Sequence, residues 1–179
     1  MRATRSASAC VLVGLALAAA QAAAPSDTVE TLGTIASVVV PVSGLVAAAA
    51  HHDGKGALQL TEAYGTTMAV VYILKPLVDR KRPDGGSQSF PSGHSASAFA
   101  GAAFLQRRYG WWYGAPAYAV ATFVAWSRVE AKRHWTSDVV AGGAIGIASN
   151  LVFTRRYSKL TVAPTAVPGG GGLVLELRW

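Results

Sequence analysis

The sequence predicts an all-α protein, an antiparallel helical bundle of about five helices placed after a signal peptide, with a short β-hairpin at its C-terminal end. Two patterns carry the helical part. Five apolar stretches rich in Ala and Gly, over residues 29–50, 57–78, 92–108, 111–127 and 136–153, each approach the ~17–25 residues of a long apolar helix. The breaks between them are mostly short, and short connections make successive helices antiparallel neighbours. Composition agrees: 51% of residues are apolar and only 14% charged, against about 25% charged in ordinary soluble domains.

The N-terminus reads as a secretory signal over residues 1–24. Arg2 and Arg5 supply its charged start. Residues 11–20 form an apolar run too short to span a bilayer, and Ala20-Gln21-Ala22 offers small residues for cleavage. The sole cysteine, Cys10, falls inside this segment. The exported chain would then hold no disulfide, no thiol nucleophile and no cysteine metal ligand.

Each helix ends at a legible break. His51-His52-Asp53-Gly54 closes the first, Pro83-Asp84-Gly85-Gly86 follows the second, and Tyr109-Gly110 divides the third from the fourth. Residues 25–159 make one helical domain. Residues 160–166 and 173–179 are strand-like runs around Pro168 and the glycines at 169–172, so 160–179 reads as a Gly-rich tail forming a hairpin.

The up-down order has a consequence. The end of the second helix, the start of the third, the end of the fourth and the start of the fifth all fall at one end of the bundle. Those four ends carry the chemistry. Lys75 and Arg82 lie at the first, Ser92, Gly93 and His94 at the second, Arg128 at the third, and His134 with Asp138 at the fourth. The other end collects His51, His52 and the arginine pairs 107–108 and 155–156.

Three cations brought together suit a phosphate, whose charge spreads over several oxygens. Lys75, Arg82 and Arg128 form that clamp, while Arg80 and Lys81 read as a solvated loop or membrane-surface contact. Pro91-Ser92-Gly93-His94 opens a helix: Ser92 caps, Gly93 lets an oxyanion approach the backbone, and the exposed amides point at the anion. His94 can protonate a leaving alkoxide. His134 and Asp138, four apart at a helix start, face one side, so the carboxylate can hold one ring nitrogen and leave the other to attack phosphorus. His51 and His52 sit at the wrong end to join a metal site, and His134 with Asp138 is too small a ligand set; no metal and no cofactor is expected.

A net charge of +7 suggests nucleic acid or an anionic surface. The cations sit in the motifs or at helix ends, with no basic stripe interleaved by aromatics, so nucleic acid is not expected. Membrane association is favoured by helix length, by the small pair Gly142 and Gly146, and by the arginines opposite the site. Glu62, inside the second helix, and the Ala-rich composition oppose it.

The pattern Lys75, Arg82-Pro83, then Pro91-Ser92-Gly93-His94, then Ser127-Arg128 with His134 and Asp138 resembles the type 2 phosphatidic acid phosphatase superfamily, which includes bacterial nonspecific acid phosphatases and vanadium haloperoxidases. The resemblance implies an all-helical core and metal-independent hydrolysis. It implies His134 as a nucleophile forming a phosphohistidine, Asp138 orienting it, and His94 as general acid. Lys75, Arg82, Ser92, Gly93 and Arg128 would bind the phosphate. The expected substrate is a phosphorylated lipid, a lipid pyrophosphate or a small phosphomonoester, met on the exported face of the cell membrane or in a periplasm. A soluble acid phosphatase, a vanadate-dependent haloperoxidase and a non-catalytic anion-binding envelope protein are the rival readings.

Overall fold

The computed structural model describes residues 26–167 and 170–178; the signal-peptide reading, Cys10 and Trp179 fall outside them. Five helices follow one another: α1 (Ser26–Ala50), α2 (Gly54–Val78), α3 (Gly93–Tyr109), α4 (Trp111–Glu130) and α5 (Thr136–Phe153). The all-helical core expected from the apolar pattern is the observed one. Beyond it β1 (Lys159–Val167) pairs antiparallel with β2 (Gly170–Arg178), placing Leu160 opposite Leu177.

Helix α2 begins three residues before its apolar pattern, because Asp53 caps it by accepting the N–H of Gly56 at 2.9 Å. Its other end is set by Asp79 in the left-handed conformation, φ 39°, which turns the chain sharply at Arg80.

Helix α3 is the axis of the fold and packs on all four others. Small side chains make that possible: Ala96, Ala98, Ala100, Ala102 and Ala103 are wholly buried. Contact is closest along the α3–α5 seam. A Cβ on Gly146 would sit 2.6 Å from the Ala96 carbonyl oxygen and 2.7 Å from the Ala100 nitrogen, and one on Gly142 would overlap the Ser92 carbonyl. Gly142 and Gly146 are thus the backbone-to-backbone contact that small residues one turn apart permit. Gly146→Ala is expected to destabilise the purified protein by about 1–3 kcal/mol through overpacking. Gly65→Ala, on α2 where nothing lies within 4 Å, should instead be neutral or stabilising by up to ~1 kcal/mol. Thermal unfolding of the two variants checks the contrast.

The end of the bundle away from His134 is closed by a buried ion pair. Arg108 donates from Nε and Nη2 to the two oxygens of Asp53, both at 2.6 Å. The Tyr109 hydroxyl donates to the same carboxylate at 2.9 Å. Burial raises the Asp53 pKa, but Arg108, the Gly56 amide and Tyr109 outweigh it and hold it below the usual carboxylate range. Arg108 also donates to the carbonyls of Arg155 at 2.9 Å and Arg156 at 3.3 Å, while the Tyr157 N–H returns to the Arg108 carbonyl at 2.8 Å. Arg108, read from sequence as one of a pair of cations at a helix end, is therefore an interior one. His51 stacks on Tyr109 beside it, with ring centroids 4.9 Å apart.

Candidate active site

At the other end, the start of α1, the end of α2, the start of α3 and the end of α4 surround a cavity of about 360 Å³. Lys75, Arg82, Gly93, His94, Arg128 and His134 all line it, joined by Glu30 and Arg133. Six of the eight residues singled out in the sequence therefore share one space. Ser92 and Asp138 stand behind it, both with no exposure.

Each cation is held by bonds that leave donors over. Lys75 Nζ donates to the Gln88 carbonyl at 2.8 Å, and Arg82 Nε to the Ser87 carbonyl at 3.0 Å. Arg128, only 2% exposed, reaches Ser127 Oγ at 3.2 Å, Thr34 Oγ1 at 3.1 Å and the Glu30 carbonyl. An ammonium or guanidinium carries more N–H groups than these bonds use. The rest are available to an anion.

Ser92 caps α3 by accepting the Ser95 N–H at 3.4 Å. The amides of Gly93 and His94 lie in the first turn, where no intrahelical acceptor exists. A Cβ on Gly93 would meet only Val71, at 3.7 Å, so no protein contact requires glycine there. The missing side chain opens the backbone to the cavity.

His134 lies in the turn before α5 and is buried. Its Nδ1 donates to the Ser89 carbonyl at 2.7 Å. A carbonyl only accepts, so Nδ1 carries the proton and Nε2 is left unprotonated. Burial, with Arg82 and Lys75 nearby, lowers its pKa to about 4 despite the opposing pull of the Ser89 carbonyl and Asp138.

One expectation is corrected here. Asp138 was expected to hold a ring nitrogen of His134, but its Oδ2 is 3.8 Å from Nδ1. The carboxylate sits in the first turn of α5 and curls back to accept the Trp135 N–H at 2.9 Å and the Ser89 hydroxyl. Its other oxygen accepts from Arg80 Nη1 at 2.9 Å. Arg80 is exposed, as expected of a solvated loop, and yet also joins this cluster. Ser89 and Arg80 are the residues that motif spacing missed. So is Arg133, which joins Glu30 of α1 at 2.9 Å to Asp84 of the loop at 3.1 Å. Among the described residues no group of three His, Cys, Asp or Glu converges on a metal-sized site.

The arrangement can bind a tetrahedral anion between fixed cations and helix amides, with one neutral imidazole positioned beside a second. Comparison with known proteins agrees. The model of the PAP2 superfamily matches residues 56–161. The chain is 41% identical over 98 residues to a lipid A 1-phosphatase of Porphyromonas gingivalis, covering 51% of this chain and 22% of that protein. It is 32% identical over 120 residues to a lipid A 4'-phosphatase of Helicobacter pylori, covering 60% of this chain and 61% of that one. It therefore spans less than two thirds of either relative. In fold it is similar to the crystal structure of Aquifex aeolicus LpxE, with TM-score 0.63 and 24% identity over 73% of this chain and 87% of that one. It is also similar to a transmembrane PAP2-type phosphatidylglycerolphosphate phosphatase of Bacillus subtilis, with TM-score 0.51 and 22% identity over 83% and 93%.

Proposed function

This chain belongs to the PAP2 superfamily, and from that premise we propose that it is a metal-independent phosphatase acting on lipid phosphomonoesters or pyrophosphates through a phosphohistidine. The observation that carries the reading is the convergence of Lys75, Arg82, Arg128, the Gly93 and His94 amides and His134 on one cavity. The phosphoryl group sits among the cations and the first turn of α3, which neutralise its equatorial oxygens. Nε2 of His134 attacks phosphorus, forming the P–N bond as the ester P–O bond breaks. His94 gives its proton to the departing oxygen. Water, deprotonated by His94, then attacks the phosphohistidine, and inorganic phosphate leaves with His134 restored.

The lipid half of the proposal rests on the cavity's far wall and on the protein's exterior. Val38, Met68, Val71 and Tyr72 line the cavity between α1 and α2, so an apolar chain can leave the phosphate in that direction. Outside, α1 exposes Ile35, Val38, Val39, Val42 and Val46, and α2 exposes Tyr72, Ile73 and Leu77. Residues Asp27–Ala50 and Thr136–Phe153 are each long and apolar enough to cross a membrane. Trp111 and Trp112 are exposed at one end of the bundle, and Trp126 and Trp135 near the other, as interfacial aromatics would be. Glu62 is exposed on α2 and is the contrary feature. The lipid phosphatases among the relatives support the same substrate class, and the exported face is where the site would work.

Phosphate release with chelator present, compared across a phosphorylated disaccharide lipid, phosphatidate, a polyprenyl pyrophosphate and an aryl phosphate, tests the proposal. Faster turnover of a lipid by protein retained in carbonate-washed membranes is the expected result. Preference for the aryl phosphate by protein released in the wash would overturn the lipid reading. Activity that vanishes with chelator and returns with zinc or magnesium would overturn the metal-independent one.

A further inference from the structure

Arg80 lies two residues from Arg82 yet is absent from the cavity lining that includes Arg82, Lys75 and Arg128. Its guanidinium turns instead toward the start of α5. Nη1 donates to Ser137 Oγ at 2.6 Å and to Asp138 Oδ1 at 2.9 Å. The same guanidinium lies over the Trp135 ring, 5.4 Å from its centroid, and Trp135 Nε1 donates to the Lys81 carbonyl at 2.9 Å. The backbone adds a further tie: the Ser89 N–H donates to the Arg80 carbonyl at 2.7 Å. Arg80 and Ser89 thus form the neck of the loop that carries Arg82.

We propose that Arg80 and Ser89 are positioning residues for the nucleophile: Arg80 holds the Asp138 carboxylate, Asp138 holds the Ser89 hydroxyl, and the Ser89 carbonyl holds His134 by Nδ1–H. The inference deepens the phosphohistidine reading and rests on it. It assigns the carboxylate an indirect role. With Nδ1–H donating to the Ser89 carbonyl and the carboxylate 3.8 Å from Nδ1, the ring is fixed by a backbone atom, and Asp138 acts by fixing the segment that bears that atom. Arginine suits the neck better than lysine, because a planar fork can serve Ser137 and Asp138 together while stacking on Trp135. Arg80 also opposes the charge of Asp138. Without it the uncovered carboxylate favours the protonated imidazole. Lys75 from α2, Arg82 from the loop, His94 from α3, Arg128 from α4 and Glu30 from α1 face the same cavity and stay in place.

The test uses the full chain with Arg80→Met, Arg80→Lys and Ser89→Ala, and with Arg82→Met as comparator. An aryl phosphate is the substrate and inorganic phosphate the inhibitor probe. The expected result is a fall in kcat of about 10–100-fold for Arg80→Met and Ser89→Ala. KM and phosphate inhibition should change less than ~3-fold, and Arg80→Lys should recover part of the loss. Arg82→Met should instead weaken phosphate inhibition. Nitrogen NMR of the His134 ring, which needs no turnover, should show the Nδ1–H form in the native chain and a titration moved to higher pH in Arg80→Met. That readout separates this inference from the phosphatase reading: absent turnover in the native chain counts against the latter alone. An unmoved His134 titration with unchanged kcat overturns the proposal. A ~10-fold rise in KM and weaker phosphate inhibition at constant kcat overturns it too, and makes Arg80 an anion ligand.

Discussion

His134→Ala is expected to release phosphate at least about a thousandfold more slowly than the native chain, with the same melting temperature within a few degrees. The magnitude follows if, as proposed, the substitution deletes the atom that forms the covalent intermediate rather than one that orients it. Native protein quenched during turnover of a labelled substrate should retain label that survives alkali and is lost in acid, as a phosphorylated imidazole does; the variant should retain none. The pH dependence carries an independent sign. In the proposed mechanism the nucleophile is the neutral ring, and burial has brought the His134 pKa down to about 4. The rate should therefore climb as pH rises through about 4 and lie on a plateau above it, until His94 loses the proton that it gives to the leaving group. A rising limb centred near 6.5, the ordinary histidine value, would contradict the buried, carbonyl-held ring described above. Turnover undiminished in His134→Ala would assign the activity to another site.

The largest loss of stability is expected from Asp53→Ala, about 3–5 kcal/mol. The substitution strands Arg108 in an interior position, 5% exposed, with its two shortest bonds gone. Much of the loss is the uncompensated guanidinium rather than the worth of the pair. Asp53→Leu combined with Arg108→Met should accordingly recover a large share of it. The pH sign also follows. The folded-state pKa of Asp53 is depressed, so its contribution is present above the ordinary carboxylate value near ~4. It is lost as pH falls through the folded-state value. The native chain should lose midpoint temperature more steeply in acid than the double variant does. Equal acid slopes would remove Asp53 as the source.

Helix order and the meeting of four helix ends were legible because apolar runs and breaks report length and direction. Gly142 and Gly146 were legible for the same reason, since spacing alone puts them on one face. The parts that escaped are those for which sequence has no handle. Arg80, Lys81 and Arg82 are three cations in a row, and the fold after the left-handed turn at Asp79 brings the first to α5 and the third to the cavity. The Ser89 carbonyl is a backbone atom with no signature at all. Asp138 was recognised, but its direction was not, because a carboxylate in a first turn can serve either the ring beside it or the helix N–H groups, and here it serves the helix. Arg107 and Arg108 looked like a pair of equals, yet neighbours on a helix point about 100° apart, so only one can enter the core.

Arg108 fixes more than stability. By gripping the carbonyls of residues 155 and 156 and receiving Tyr157, it moors the root of the C-terminal strands at the foot of α3, whose head carries Gly93 and His94. A helix of 17 residues is about 25 Å long, close to the ~30 Å of a bilayer's hydrocarbon. Root and reaction centre are thus a full helix apart. If the bundle spans a bilayer as proposed, a sealed vesicle would put them in opposite solutions: a protease or tag-directed antibody reaching the tail from one side would leave the phosphate chemistry on the other undisturbed.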